Sequence, residues 1–238
     1  MLSLWIDTAR ILAVARCGGP AIDEELTTLL FSWHVVGIPK KQPGEKRPIG
    51  VASVLLRAWL SACALALPTP SADQWATKKK TSVVHAIADW LHHCCDAQAG
   101  CETDLSKAYD NIDHEIGAAA LAHEAIPEVC IASATAVWKG PRLCQVEGEL
   151  ASEPVWPTCG LPQGDSMAPG AMVGTLVPWS PSMRKWKFMD DRSMTAPSDE
   201  ALEENIQYTC VFDRDIGYQE NIGKRQRWKR GDFKRRTH

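Results

Sequence analysis

Two carboxylates stand side by side at Asp190 and Asp191, directly after the aromatic–apolar pair Phe188-Met189. Adjacent acids repel, so a fold that holds them in a tight turn needs positive charge close by. Trp186 to Met189 reads as a short strand running into that turn, and Arg192, Ser193 and Thr195 follow it. A divalent cation is one source of the charge, because hard oxygen ligands suit Mg²⁺ and Mn²⁺. A solvated polar turn is the other reading of the same residues. What stands upstream, and in what order, separates the two.

The chain has 238 residues, enough for one core or two small ones. A net charge of −3 does not advertise nucleic-acid binding, but the charge is uneven. Gly223 to His238 reads GKRQRWKRGDFKRRTH, densely basic with Trp228 and Phe233 interleaved, whereas Asp199 to Glu204 is acidic. Nine scattered cysteines without a CxxC pair fit a reducing compartment better than a disulfide framework. His92-His93-Cys94-Cys95 with Cys101 suggests zinc, yet adjacent ligands on one helix diverge and the second spaced pair is missing. No apolar run reaches the length of a membrane span, so no membrane partner is expected. Asp7 and Arg10 interrupt the N-terminal apolar stretch, so no secretory pattern is present and an intracellular protein, nuclear or cytoplasmic, is expected.

Residues 1 to 21 show a short helical pattern with no assignable role, and Asp23 to Val36 predicts an amphipathic helix capped by Asp23. Gly37 to Gly50 is two extended segments around a Pro-Gly turn, a hairpin signal. Lys40 and Arg47 across it form either a cationic clamp suited to a polyphosphate or a solvated basic loop. Val51 to Leu67 predicts an apolar helix ended by Pro68 and Pro70. After Lys78-Lys79-Lys80 a helix runs from Thr81 to about Asp96, with Val84, Ile87, Trp90, Leu91 and Cys94 at helical spacing as a buried stripe. Cys101 to Leu105 ends a strand, which places Asp104 at its C-terminal edge, and Ser106 to His114 turns into a helix bearing Tyr109. A helix from Pro127 to Trp138 follows, then paired strands at Arg142 to Val146 and Ala151 to Trp156. Gly160 to Pro169 is a glycine-bounded loop entering a helix from Gly170 to Leu176. Pro178 to Pro181 breaks the chain, Glu200 to Asp213 is helical, and Gly217 to Lys224 is a turn before the basic stretch.

The order DLSKAYDNIDH, GLPQG, FMDD and then Gly217, Asn221 and Lys224, all behind a Lys/Arg hairpin, resembles the reverse transcriptase family. The resemblance is closest to the retroelement type of non-LTR retrotransposons and group II introns, and runs from about Gly37 to Lys224. It implies an α+β right-hand polymerase: a palm of antiparallel strands backed by helices, with fingers from the N-terminal half. Residues 22–100 would then be fingers and 101–220 palm, with 118–157 partly a fingers–palm connection. Residues 1–21 would be an extension and 221–238 a basic tail, the thumb being largely missing.

The same resemblance implies roles. Asp104 and Asp190 would hold two Mg²⁺ ions, or Mn²⁺, with Asp191 assisting. Lys40 and Arg47 would grip the triphosphate, and Gln163 and Gly164 would pack near the template and incoming nucleotide. The Tyr109 ring, beneath the sugar, would exclude a 2′-hydroxyl and so favour deoxynucleotides over ribonucleotides. Lys224 would assist pyrophosphate departure. RNA template, DNA primer and dNTPs are the implied partners. Arg225, Arg227, Trp228, Lys229 and Arg230 are either a nucleic-acid-binding tail or a solvated end. Departures from the family pattern are Asp165 after the PQG, which adds negative charge, Phe188 for the commoner Tyr, Arg192 directly after the acids, and a short span from Asp165 to Phe188. Two readings follow: an RNA-directed DNA polymerase domain, or a catalytically silent retroelement remnant that keeps the fold and binds nucleic acid through its tail.

Overall fold

The computed structural model describes residues 32–39, 44, 46–76 and 82–230, apart from 147, 148 and 152. The expectations for 1–31, Lys40, Lys78-Lys79-Lys80 and 231–238 lie outside the described residues. The chain divides into two compact units, the first from Met1–Leu67 with Tyr109–Gly174, the second from Pro68–Ala108 with Thr175–His238.

In the first unit, β1 (Trp33–Pro39) and β2 (Lys46–Ala52) form the expected hairpin, with Ile38 opposite Arg47. The helix expected to reach Val36 is corrected here: Trp33 to Val36 are strand. Trp33, Val35 and Val36 suit a pleated surface, and β1 gains a partner on each side. It pairs with β2 and, in parallel, with β4 (Arg142–Val146). Trp33 is fully buried, and its indole N–H donates to the Val137 carbonyl at 3.2 Å. The sheet order is β2-β1-β4-β5, where β5 is Glu149–Leu150. The second strand expected at Ala151–Trp156 therefore lies earlier, and that stretch contributes a bridge from Val155 to Arg142 and a bond from Ala151 N–H to Cys144 O at 2.8 Å. Helix α1 (Val54–Ala64) starts later than expected because Val51 and Ala52 stay in β2, and Ser53 caps it by accepting from the Leu56 N–H. Short α3 (Ala108–Asn111) leads into α4 (His114–His123), capped by Asp113, and α5 (Glu128–Trp138) follows Pro127 as expected. The unit's chain path ends at Gly174, within helix α6 (Ala168–Thr175).

The second unit holds an antiparallel sheet, β6-β7-β3-β8, made of β3 (Ala99–Thr103), β6 (Arg184–Phe188), β7 (Asp191–Ala196) and β8 (Gln226–Lys229). One face of its central strands, Ala99, Cys101, Met194 and Ala196, packs on Trp179 and on Leu202 and Ile206 of α7 (Asp199–Asp215). Burial of this apolar area is what holds the sheet to its helix.

Two expectations fail in this unit. Helix α2 (Val83–Asp96), with a capping box between Ser82 and His85, does not bury the stripe assigned to it. Val84, Ile87 and Leu91 are 72%, 50% and 57% exposed. The inward line is Ala86 and Trp90, one turn apart, with Trp90 against Trp186 at 6.2 Å between ring centroids. Nor are residues 226–229 of the basic stretch a loose tail: they are β8, the fourth strand of the sheet. Lys and Arg at an edge strand keep their charges in solvent while the backbone pairs inward.

Candidate active site

The acid pair occupies the turn between β6 and β7. Phe188 pairs with Asp191 to close the hairpin, and Met189 takes the left-handed conformation at φ +57°. Strand β3 lies antiparallel to β7 with Thr103 opposite Arg192, so Asp104, one residue on, comes level with the turn. The backbone then fixes a fourth group. Leu105 bridges to Glu220, Ser106 N–H donates to Gln219 O at 2.7 Å, and Asn221 N–H donates to Asp104 O at 2.8 Å. That pairing carries the chain into a 3-10 turn, Ile222–Lys224, and the Lys224 ammonium donates to Asp104 Oδ2 at 2.7 Å. Asp104, Asp190, Asp191 and Lys224 are thus brought together.

The charges of the acids act on one another. Asp191 lies at the exposed rim, yet partial burial of its carboxyl, then the charges of Asp190 and Asp104, push it up to about 6. Burial, and after it the charge of Asp104, raises Asp190 as well. Lys224 is raised by its hydrogen bond to Asp104 and by that carboxylate's charge. One ammonium among three carboxylates leaves negative charge that hard cations match. Among the described residues no three His, Cys, Asp or Glu side chains form a ready-made metal cage; Asp104 is turned onto Lys224. The donor set, hard carboxylate oxygens, fits Mg²⁺ or Mn²⁺ in chemistry.

Arg192 is engaged by Asp213, and its charge still reaches Asp190. Its guanidinium is fully buried, donates to Asp213 at 2.6 and 2.7 Å, and sits 5.2 Å from the Trp179 ring centroid. The unusual Arg after the acid pair is therefore the tie between β7 and α7.

Arg47, Tyr109, Gln163 and Gly164 belong to the first unit. Arg47 is exposed on β2. Tyr109 is half-buried at the start of α3, and its backbone is tied to the GLPQG loop: Leu161 N–H donates to Tyr109 O, and Gly160 N–H to Ile112 O, both at 2.7 Å. Gly160 has φ +90°, and a Cβ there would stand 2.8 Å from Asp110 O. His114 and Arg142 also reach the Gly160 carbonyl, at 3.0 and 3.1 Å. At the loop's other end Gly50 N–H donates to Gln163 O at 2.7 Å, and a Cβ on Gly164 would come within 2.3 Å of Gly50 O. Gln163, Gly164 and Tyr109 are thus held by backbone bonds between three distant stretches. Asp165 is buried and faces inward. It accepts from the Trp138 indole at 2.6 Å and from the Met167 N–H at 3.0 Å, and so caps the entry to α6. Burial pushes its carboxyl up.

A family profile described as reverse transcriptase (RNA-dependent DNA polymerase) matches residues 38–233. The chain belongs to the reverse transcriptase family. No curated protein matches it significantly in sequence. Among solved structures it is similar to apo telomerase of Candida tropicalis truncated from its C-terminal domain, with a TM-score of 0.61 at 12% identity over 95% of this chain and 55% of that one. Telomerase of the same organism in complex with a fragment of telomeric RNA gives 0.64 at 11%, over 97% and 45%. The untruncated apo form gives 0.63 at 11%, over 96% and 50%. At such identities the likeness speaks of the fold, and the fold is the right-hand polymerase one. The chain spans about half the length of these telomerases.

In this reverse transcriptase domain Arg225, Arg227 and Lys229 already have acidic partners. Arg225 donates to Glu220 at 2.7 Å, Arg227 to Glu203 at 2.9 Å, and Lys229 pairs with Asp199. Trp228 lies across Gly100, where a Cβ would come within 2.3 Å of its ring. Arg230 is exposed, and its N–H donates to Gln98 O at 2.8 Å. Sequence reasoning missed Gln74, which is fully buried and accepts from the Met189 N–H at 3.1 Å. A single Gln between prolines and lysines carries no local signal of such a contact. Among the described residues no helix is long and apolar enough to cross a membrane.

Proposed function

We propose that this chain is a retroelement-derived RNA-directed DNA polymerase domain that adds deoxynucleotides to a primer 3′-hydroxyl on an RNA template. The observation that carries the reading is the meeting of Asp104, Asp190 and Asp191 with Lys224, in a field crowded enough to push Asp191 up to about 6. A fold bears such uncompensated charge where function requires it. When bound to Asp104 and Asp190, with Asp191 assisting, two Mg²⁺ or Mn²⁺ ions supply a lowered pKa for the primer hydroxyl and neutralise charge on pyrophosphate. Lys224 holds a proton at Nζ beside the acids, where it is available to departing pyrophosphate. Tyr109 excludes a 2′-hydroxyl and thereby selects dNTPs. Arg47, with Lys40, orients the triphosphate through charge, and Gln163 and Gly164 orient the template base and incoming nucleotide. The telomerase bound to telomeric RNA supports an RNA partner for this fold.

Primer extension on an RNA template with dNTPs and Mg²⁺ or Mn²⁺ tests the reading, with an Asp190→Ala/Asp191→Ala variant alongside. Extension by the wild type that the variant lacks supports it. Absence of extension and of duplex binding sinks it.

One observation favours the second reading, a catalytically silent remnant that binds nucleic acid. Arg225, Arg227 and Lys229 are paired with carboxylates, which lowers the cationic surface open to phosphate. Duplex binding with a shallow salt slope and no extension is the result it predicts.

A further inference from the structure

We infer that Gln74 is the positioning residue of the acid turn, an assignment that rests on the reading of Asp190 and Asp191 as metal-holding acids. Residues 73–75 run parallel to β6 at its open edge: Lys187 N–H donates to Asp73 O at 2.7 Å, and Trp75 N–H to Lys187 O at 2.9 Å. The strap is pinned by charge. Asp73 pairs with the buried Lys187 at 3.1 Å and with Lys185 at 3.7 Å, and Lys187 Nζ also donates to Leu176 O at 3.2 Å. Between these anchors the Gln74 side chain, 0% exposed, lies against the turn. Its Oε1 accepts from Met189 N–H at 3.1 Å and from Ala76 N–H at 3.2 Å.

Two donors on one amide atom settle which atom faces them, since an NH₂ group cannot accept. The other atom, Nε2, is buried with no hydrogen-bond partner among the described residues. Among the described residues, then, the side chain is held by its acceptor. That acceptor meets the one residue of the turn under backbone strain. Met189, at φ +57°, bears a Cβ in a region such residues occupy only when their surroundings hold them there. Met189 immediately precedes Asp190, so its backbone angles set the direction in which both carboxylates leave the turn. Gln74 acts on metal binding through Met189 and touches no reacting group.

The test compares the wild type with Gln74→Met, which keeps length but removes the acceptor, and with Gln74→Glu, which keeps an acceptor oxygen. Hydrogen exchange of the Met189 amide is read by NMR, Mn²⁺ affinity by electron paramagnetic resonance, and kcat and KM by primer extension. Expected are a Met189 amide protected in the wild type and in Q74E and unprotected in Q74M. Mn²⁺ affinity and kcat should both fall about tenfold in Q74M, the order one buried hydrogen bond supports, with KM for dNTP unchanged and Q74E restoring both. An amide that stays protected in Q74M, or a Mn²⁺ affinity that Q74M leaves alone, overturns the assignment. If Q74M does not fold, a wild-type Met189 amide exchanging as fast as an exposed turn overturns it, and a protected one together with a Mn²⁺-competent Q74E supports it. A wild type that neither binds Mn²⁺ nor extends primers removes the polymerase reading instead, and the assignment as a metal-positioning residue falls with it, whatever the amide shows about the turn.

Discussion

Removing the Arg192 guanidinium should be among the most damaging single changes outside the acid turn. The side chain is 0% exposed and its partner Asp213 only 5%, with two charge-assisted bonds at 2.6 and 2.7 Å. Arg192→Met keeps much of the side chain's apolar stem but strands the Asp213 carboxylate in the interior. Breaking a buried pair in this way costs about 3–5 kcal/mol, because the surviving charge has lost both water and counter-charge. Against a total stability on the order of 5–15 kcal/mol, that is a large share. Replacing both partners, Arg192→Met with Asp213→Leu, removes the stranded charge and should recover stability to within about 1 kcal/mol of wild type. Urea unfolding at neutral pH, followed by tryptophan fluorescence, gives the midpoints and slopes for the cycle. A single-variant loss under about 1 kcal/mol would refute the reasoning. So would a double variant no better than the single, since the loss would then come from packing on Trp179 instead of an orphaned charge.

Three further outcomes are expected. Gly164→Ala places a Cβ 2.3 Å from Gly50 O at φ +123°, so it should lower stability by about 1–3 kcal/mol and weaken primer extension; an unchanged melting temperature would contradict the close approach. Tyr109→Ala should raise rNTP use relative to dNTP in extension assays, and an unchanged ratio would remove the sugar-gate role. Asp191 has its folded-state pKa raised from 3.8 to about 6, so its contribution favours the fold below about 3.8 and is lost as pH climbs through about 6. Relative to Asp191→Asn, the wild-type melting temperature in EDTA should fall across that window and Mn²⁺ should reverse the fall, whereas a difference indifferent to both would show that the acids do not share a field.

What could be read from the sequence was what local residues decide. The hairpin between Gly37 and Gly50, the helix after Pro127 and the strand into Asp190 each carry their own turn or capping signals, and each is present. Trp33 to Val36 misled because the acidic, apolar run before it has helical spacing; the strand forms from partners at Arg142–Gln145, over a hundred residues away. Periodicity marked an apolar stripe on α2 but not which side faces the core, and the packed line is Ala86 and Trp90. Charge density suggested a loose end where β8 pairs with β3, since a backbone ladder leaves no trace in side-chain composition. The roles of Gln74, Arg192 and Asp165 rest on long-range contacts with Met189, Asp213 and Trp138, and no spacing rule announces such contacts.

Strand β8 also bears on how short this domain can be made. Cut after Lys224, the chain would keep all three acids and Lys224 itself, yet residues 99–102 would lose their outer hydrogen-bonding partner along the whole β8 register. The uncovered row of N–H and C=O groups, with a bare Gly100 where Trp228 had lain, is a template for strands from other molecules. Shortening would then favour self-association through that edge. Loss of nucleic-acid binding after such a cut would report precipitation as readily as missing charge, so substitutions at Arg227 and Lys229 are the cleaner probe of what those cations do.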